Sequence, residues 1–165
     1  MVELALVVGV LIAIALIIVD FGKAFNFWNN ENHVANLAAR YAAVGNLPTA
    51  GTCAQGTTKT FGTYSVTVTS LTTYIDCELA IDATELVQGG GSKGIHTSTD
   101  TAGGATVCIS VPSNAVGQPV TVTVTSKYDW LPLPIGSFAH TPLAGSATMR
   151  LESTYPWSDS QAGSC

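Results

Sequence analysis

From Leu4 to Val19 every residue is apolar, sixteen in succession, with Gly9 the only one lacking a side chain. Such a run excludes an ordinary surface helix, in which polar residues return on one face every turn. It is slightly short of the about 17–25 residues that a membrane helix needs, and Met1, Val2, Phe21 and Gly22 bring it within that range. The expected membrane segment is therefore residues 1–22. A secretory signal peptide opens on a basic stretch and closes on a small-residue cleavage site. Here no Lys or Arg precedes the run, and Asp20, Phe21, Lys23, Phe25, Phe27 and Trp28 follow it with no A-x-A site. We therefore expect the segment to belong to the mature protein, its numbering starting at or near a processing site. Met1 serves equally as an initiator, and both readings stay open.

The helix is expected to continue well past the apolar run. Between Asp20 and Val44 there is no Pro, and Gly22 is the only Gly. Phe21, Phe25 and Trp28 recur at helical spacing, and Val34, Leu37, Tyr41 and Val44 form a second stripe. Ala35, Ala38, Ala39, Ala42 and Ala43 raise helix propensity and permit close packing. Gly45 and Asn46 supply a left-handed stop, and Pro48 blocks continuation. The polar patch Asn29, Asn30, Glu31, Asn32, His33 marks the change from a greasy half to an amphipathic half.

Beyond residue 45 the period changes from helix-like to two. Lys59 to Thr69 reads as one half-buried strand, with Tyr64, Val66 and Val68 on one side. Ser70 is placed to cap a short helix whose face is Leu71, Tyr74, Ile75 and Leu79. Thr106–Val111 is a second strand, Pro119–Tyr128 the clearest one with Val120, Val122 and Val124 on one face, and Thr148–Glu152 a fourth. The expected fold is α+β: a helical segment at 1–45, then a small antiparallel β-rich domain with one short helix at 46–165. The apolar face of the sheet should be buried on the amphipathic half of the helix.

Composition narrows the function. Charged residues make up 10% of the chain, against the roughly 25% usual in soluble domains. Six Lys and Arg against eleven Asp and Glu give a net charge of -5, which excludes an electrostatic nucleic-acid binder. Low charge, abundant Ser and Thr, and four cysteines point to an exported domain. Cys53, Cys77, Cys108 and Cys165 allow three disulfide connectivities. Without a C-x-x-C, structural bridges are expected, and Cys53–Cys77 with Cys108–Cys165 is the favoured pairing. No motif supports catalysis. His33, His96 and His140 show no metal-ligand spacing, residues 89–94 (GGGSKG) depart from the phosphate-loop pattern, and there is no G-x-S-x-G elbow. No cofactor and no metal site are expected.

Together these segments resemble a known family. A short leader-proximal VELALVVGV, then IVDFGKAFNFW, NLAARYAAV and a late ATMRLE are similar to TadE-like proteins of the tight-adherence (Flp, type IV-related) pilus. The CISV and GQPVTVTV strands and a terminal Cys are similar as well. The resemblance implies a precursor cleaved by a prepilin peptidase at the inner membrane, helped by pilus assembly machinery and then packed with copies of itself in a filament. It further implies that Glu3 pairs with the N-terminal amine of a neighbouring subunit, although the family carboxylate usually stands fifth and this one third.

Residue chemistry gives further candidates for filament assembly: Asp20 and Lys23, three apart at the end of the apolar run, and the aromatics Phe21, Phe25 and Trp28. Asp20 and Lys23 would bridge subunits or form a local ion pair at the membrane edge. Asp129 to Leu143 is expected as a long apolar loop, with Trp130, Leu131, Leu133, Ile135 and Phe138 placed to dock on a neighbouring subunit or to cover the domain's own sheet. Arg150 and Glu152 are expected to point to one face of the last strand. The function expected is thus a structural subunit of an extracellular filament, first held in the membrane and then polymerised, with the β domain exposed for adhesion. The alternatives are a minor pseudopilin and a plain membrane-anchored surface domain.

Overall fold

The computed structural model describes residues 2–61, 64–82, 96–97, 105–128, 130 and 141–158, with the side chains of residues 2–6, 64, 82 and 96–97 outside that description. Helix α1 runs unbroken from Val2 to Val44, about 64 Å at 1.5 Å per residue. It stops where the sequence requires. Gly45 takes φ 72°, and its N–H donates to the Tyr41 carbonyl at 2.9 Å. A Cβ at this position would overlap the Ser153 hydroxyl. The last carbonyls of the helix find partners in the chain's final segment: Glu152 N–H donates to the Ala43 carbonyl at 2.8 Å and the Ser153 hydroxyl to the Val44 carbonyl at 2.5 Å. Four unpaired carbonyls are the ordinary liability of a helix end, and here a distant stretch of chain relieves it.

Among the described residues the domain holds two sheets. One is a hairpin of β1 (Thr58–Phe61) and β2 (Tyr64–Thr67). The other has four strands in the order β3-β4-β5-β6. They are β3 (His96–Thr97), β4 (Thr106–Ser110), β5 (Pro119–Tyr128) and β6 (Thr141–Arg150). All pairs are antiparallel except β3 with β4. Helix α2 spans Leu71–Asp82. Ser70 caps it reciprocally with Thr73: Thr73 N–H donates to Ser70 Oγ at 3.3 Å, and Ser70 N–H donates to Thr73 Oγ1 at 2.9 Å. This is the capping-box geometry with Thr in the usual Glu position.

The core lies between α1 and the inner face of β5 and β6, with α2 closing one side. Val120, Val122 and Val124 are fully buried on that face, and Val34, Ala35, Ala38, Ala39, Ala42 and Ala43 meet them from the helix. Leu71, Ile75 and Leu79 complete the core from α2, where Tyr74 packs edge-on to Tyr41 with ring centres 5.0 Å apart.

Four expectations need correction. Lys59–Thr69 is not one strand but most of a hairpin. Phe61 pairs with Tyr64 across the Gly62-Thr63 connection, whose two residues lie outside the described ones, and a two-residue link containing Gly favours reversal over continuation. The last strand is ten residues long and starts at Thr141 rather than Thr148. Its first half, with Pro142, Ala144 and Gly145, has poor strand propensity, and pairing along the whole of β5 overrides it. Pro142 is tolerated because β6 is an edge strand of its sheet. Consequently Thr141, Pro142 and Leu143 belong to β6, not to a loop. Thirdly, of the expected helix stripe only Val34 lies fully in the core, and the alanines make up the rest of the face that meets the domain. Val44 is exposed and Leu37 and Tyr41 only half-buried, since small side chains let the helix backbone approach the sheet closely. Lastly, Glu152 lies beyond β6, so it shares no strand face with Arg150.

Candidate functional site

The candidate functional surface is α1, whose two halves differ in burial. From Val7 to Val19 the helix is exposed at every residue but the half-buried Ala13. Val7, Leu11, Ile14, Ile17 and Ile18 are exposed. It is long and apolar enough to cross a membrane, alone among the helices of the described residues. Beyond it, the apolar surface narrows to a single stripe. Phe21, Phe25 and Trp28 are 64%, 58% and 45% exposed, with the Phe25 and Trp28 rings 5.8 Å apart. Leu11, Ile14, Ile18, Phe21, Phe25 and Trp28 follow one another at alternating steps of three and four. That is the spacing of a seam that packs against another helix. Lys23 is exposed on a different face. Asn32, next along the stripe, donates its side-chain amide to the Trp28 carbonyl at 2.8 Å.

A second stripe, about 100° around the helix, joins α1 to its own domain. It runs through Asp20, Ala24, Phe27, Glu31 and Val34. Strand β5 meets it with alternate residues. After Val120, Val122 and Val124, the same face carries Ser126 and Tyr128. The period-two rule that places the valines inside therefore places a hydroxyl and a phenol there too. Tyr128 donates its hydroxyl to Asp20 Oδ1 at 2.6 Å, with the Asp20 carbonyl at 3.0 Å, and Asp20 is only 6% exposed. Phe27 and Trp130 hold the Tyr128 ring from two sides, with centres at 5.3 Å and 5.0 Å. Trp130 in turn donates its indole N–H to Thr141 Oγ1 at 2.7 Å.

Glu31 is the more unusual group. Its side chain is fully buried. Ser126 donates its hydroxyl to Oε1 in a short hydrogen bond, and Oε2 has no hydrogen-bond partner among the described residues. Burial outweighs the Ser126 bond and raises the carboxyl from 4.5 to about 7. Gly145 of β6 makes this depth possible. The Glu31–Asn32 peptide crosses directly over it.

Of the candidate residues read from the sequence, Phe21, Phe25 and Trp28 form one exposed stripe, and Lys23 is exposed on a different face. Asp20 is turned away from them into the junction. The Glu3 side chain lies outside the described residues, as do Leu131, Leu133, Ile135 and Phe138, whereas Trp130 is half-buried beside Tyr128. A disulfide joins Cys53 to Cys77, and Cys165 lies outside the described residues. Sequence reasoning missed Glu31, Ser126, Tyr128 and Gly145. The signal for Ser126 and Tyr128 was the same periodicity, carried a few residues past Val124.

Both halves of α1 also carry a family match. Residues 1–43 match the family model of TadE-like proteins. VELALVVGV and IVDFGKAFNFW lie within the matched residues, and ATMRLE lies beyond them. Over residues 1–43 the chain is similar to TadE-like proteins. No curated protein and no solved structure matches the chain.

The Tyr128–Asp20 contact makes a direct prediction. Tyr128→Phe keeps the ring packing but takes a donor from a buried carboxylate, which should cost about 1–3 kcal/mol. Thermal melting of the full chain in detergent should show a lower midpoint. An unchanged midpoint would mean that water replaces the phenol at no cost.

Proposed function

We propose that the chain is a structural subunit of an extracellular Tad-type pilus. Residues 1–22 first hold it in the inner membrane, where a prepilin peptidase and the assembly machinery act on it. It then packs with copies of itself through α1 and leaves the β domain outside for adhesion. One observation carries this reading: the chain's own domain leaves α1 uncovered from Val7 to Val19 and along Phe21, Phe25 and Trp28, within the residues that match the TadE-like family. Burying on the order of 1,500 Å² of apolar surface at about 25 cal/mol per Å² gives tens of kcal/mol gross, ample to retain a subunit after association losses. Identical subunits joined by a contact that does not close on itself form a helical polymer.

The test compares two substitutions in cells. Ile14→Asp puts a charge in the membrane segment and should abolish membrane retention. Phe25→Asp lies past that segment on an exposed position, so membrane retention and folding should persist while incorporation into sheared filaments is lost. Cryo-electron microscopy and mass spectrometry of those filaments should find this chain as their bulk mass. Finding it only in trace beside another small pilin would transfer the role to a minor pseudopilin. Wild-type cells that carry the chain but shed no filament would reduce it to an anchored surface domain.

A further inference from the structure

The junction between α1 and the domain contains a group that neither membrane anchoring nor helix packing needs. An apolar residue at position 31 would continue the stripe of Ala24, Phe27 and Val34. The chain instead buries a carboxyl there, against Ser126 alone, with its second oxygen unpartnered among the described residues. An ionised carboxylate so placed lacks the hydrogen bonds that would offset its lost hydration. A neutral one carries no such penalty.

We propose that Glu31 is a proton-controlled latch between helix and domain. Protonated, it lets residues 20–31 of α1 lie against the ends of β5 and β6. Ionised, it drives that stretch off the sheet, while Val34 to Ala43 stay packed as the pivot. The inference is independent of the pilus reading, because it concerns the joint and not the partner of the exposed stripe.

The surroundings suit a switch of this kind. On α1 the neighbours along the stripe are Phe27 and Val34, with Asp20 about three turns away. From β5, Ser126 faces it directly, and Lys127 is exposed on the opposite face. From β6, Gly145 presents only backbone, and Arg150 is exposed at the far end of the strand. Helix α2 meets α1 further along, at Tyr41. His33 is exposed. Burial and Ser126 alone set the behaviour of the carboxyl, with no charged neighbour contributing.

The sign follows from the two states. Released into water, Glu31 ionises from about 4.5 upward, whereas docked it holds its proton to about 7. Below 4.5 both states are neutral and the joint is tightest. Between those values release gains a charge that docking forbids, and above about 7 the effect saturates. The opening equilibrium should rise up to about 300-fold across the window, and by about 70-fold between pH 5 and pH 8.

Hydrogen exchange of the full chain in detergent micelles tests this, with intrinsic rates corrected for pH. Protection of residues 20–32 and 124–128 should fall by tens of fold from pH 5 to pH 8, while residues 34–43 hold theirs. The Glu31→Gln chain should keep the tight, low-pH protection throughout. The same fall in Glu31→Gln would assign the effect to another group, His33 included, and overturn the proposal, as would flat protection in the wild type. If Glu31→Gln does not fold, the wild-type Glu31 carboxyl carbon decides by NMR. A midpoint well above 4.5 that coincides with the loss of protection supports the latch, and a midpoint at 4.5 refutes it.

Discussion

Replacing Gly145 by alanine or valine should unseat α1 and lower the thermal midpoint by on the order of 10–20 °C. The reason is space and not backbone angle. A Cβ built at Gly145 would stand 2.5 Å from the Glu31 carbonyl carbon and from the Asn32 nitrogen, and 2.8 Å from the Glu31 oxygen. These are backbone atoms of a continuous helix, so no side-chain rotation relieves the overlap. Either the helix lifts from the sheet or β6 shifts against β5. Lifting would draw Val34, Ala35 and Ala38 out of a core where each is fully buried. Overpacking a core typically costs about 1–3 kcal/mol, and a clash with two backbone segments belongs at or above the top of that range. Ser146→Val, one residue on and exposed on the other face of β6, is the control. It should be neutral or slightly stabilising, because a β-branched residue suits a strand. If the Gly145 variants melt within a few degrees of wild type, the close crossing is not what seats the helix.

Gly145 also shows what in this chain is legible before a structure exists. The long helix, its stop at Gly45, the capped short helix and strand β5 rest on local rules: apolar period, caps and alternation. Each of those rules is satisfied within a few residues of sequence, and the structure has all four elements in place. Strand β6 rests on a non-local rule. Read alone, Thr141–Leu143 and Ala144–Ala147 look like loop, because Pro, Gly and Ala weaken strands. Gly145 and Ala147, the two buried residues of this stretch, are small where α1 packs on the strand, and that is known only once helix and strand are brought together. The same cause misplaces the helix stripe. Leu37, Tyr41 and Val44 are bulkier, but close approach selects Val34 and the alanines. Asp20 and Glu31 follow this logic. An isolated acid at the end of an apolar run reads as a surface charge until Tyr128 and Ser126, more than ninety residues away, supply the inner side of the junction. Their positions in the alternation of β5 were legible, but which charge each would meet was not.

Removing the Cys53–Cys77 disulfide should be the other large loss, and it should act elsewhere in the molecule. The bridge spans a sequence separation of 24 and encloses the β1–β2 hairpin and the start of α2. Closing a loop of that size restricts the unfolded chain by roughly 3–4 kcal/mol on the entropy model. Both cysteines are buried, so Cys53→Ala with Cys77→Ala adds a small packing loss without introducing buried hydroxyls, as serine would. What the bridge secures is α2, which seals the side of α1 through Tyr74 on Tyr41 and brings Leu71, Ile75 and Leu79 into the core. The double variant should therefore lose hydrogen-exchange protection first in residues 71–82 and 58–67, while the β5–β6 pairing keeps its own. Its midpoint should fall by an amount comparable to that of Gly145→Ala, and combining the two sets should be close to additive, because they loosen α1 at opposite ends of its contact with the domain. A midpoint unchanged by the double alanine variant would show that the core alone holds α2 in place. Strong non-additivity would show instead that α2 and the Gly145 crossing act on one cooperative unit of the helix.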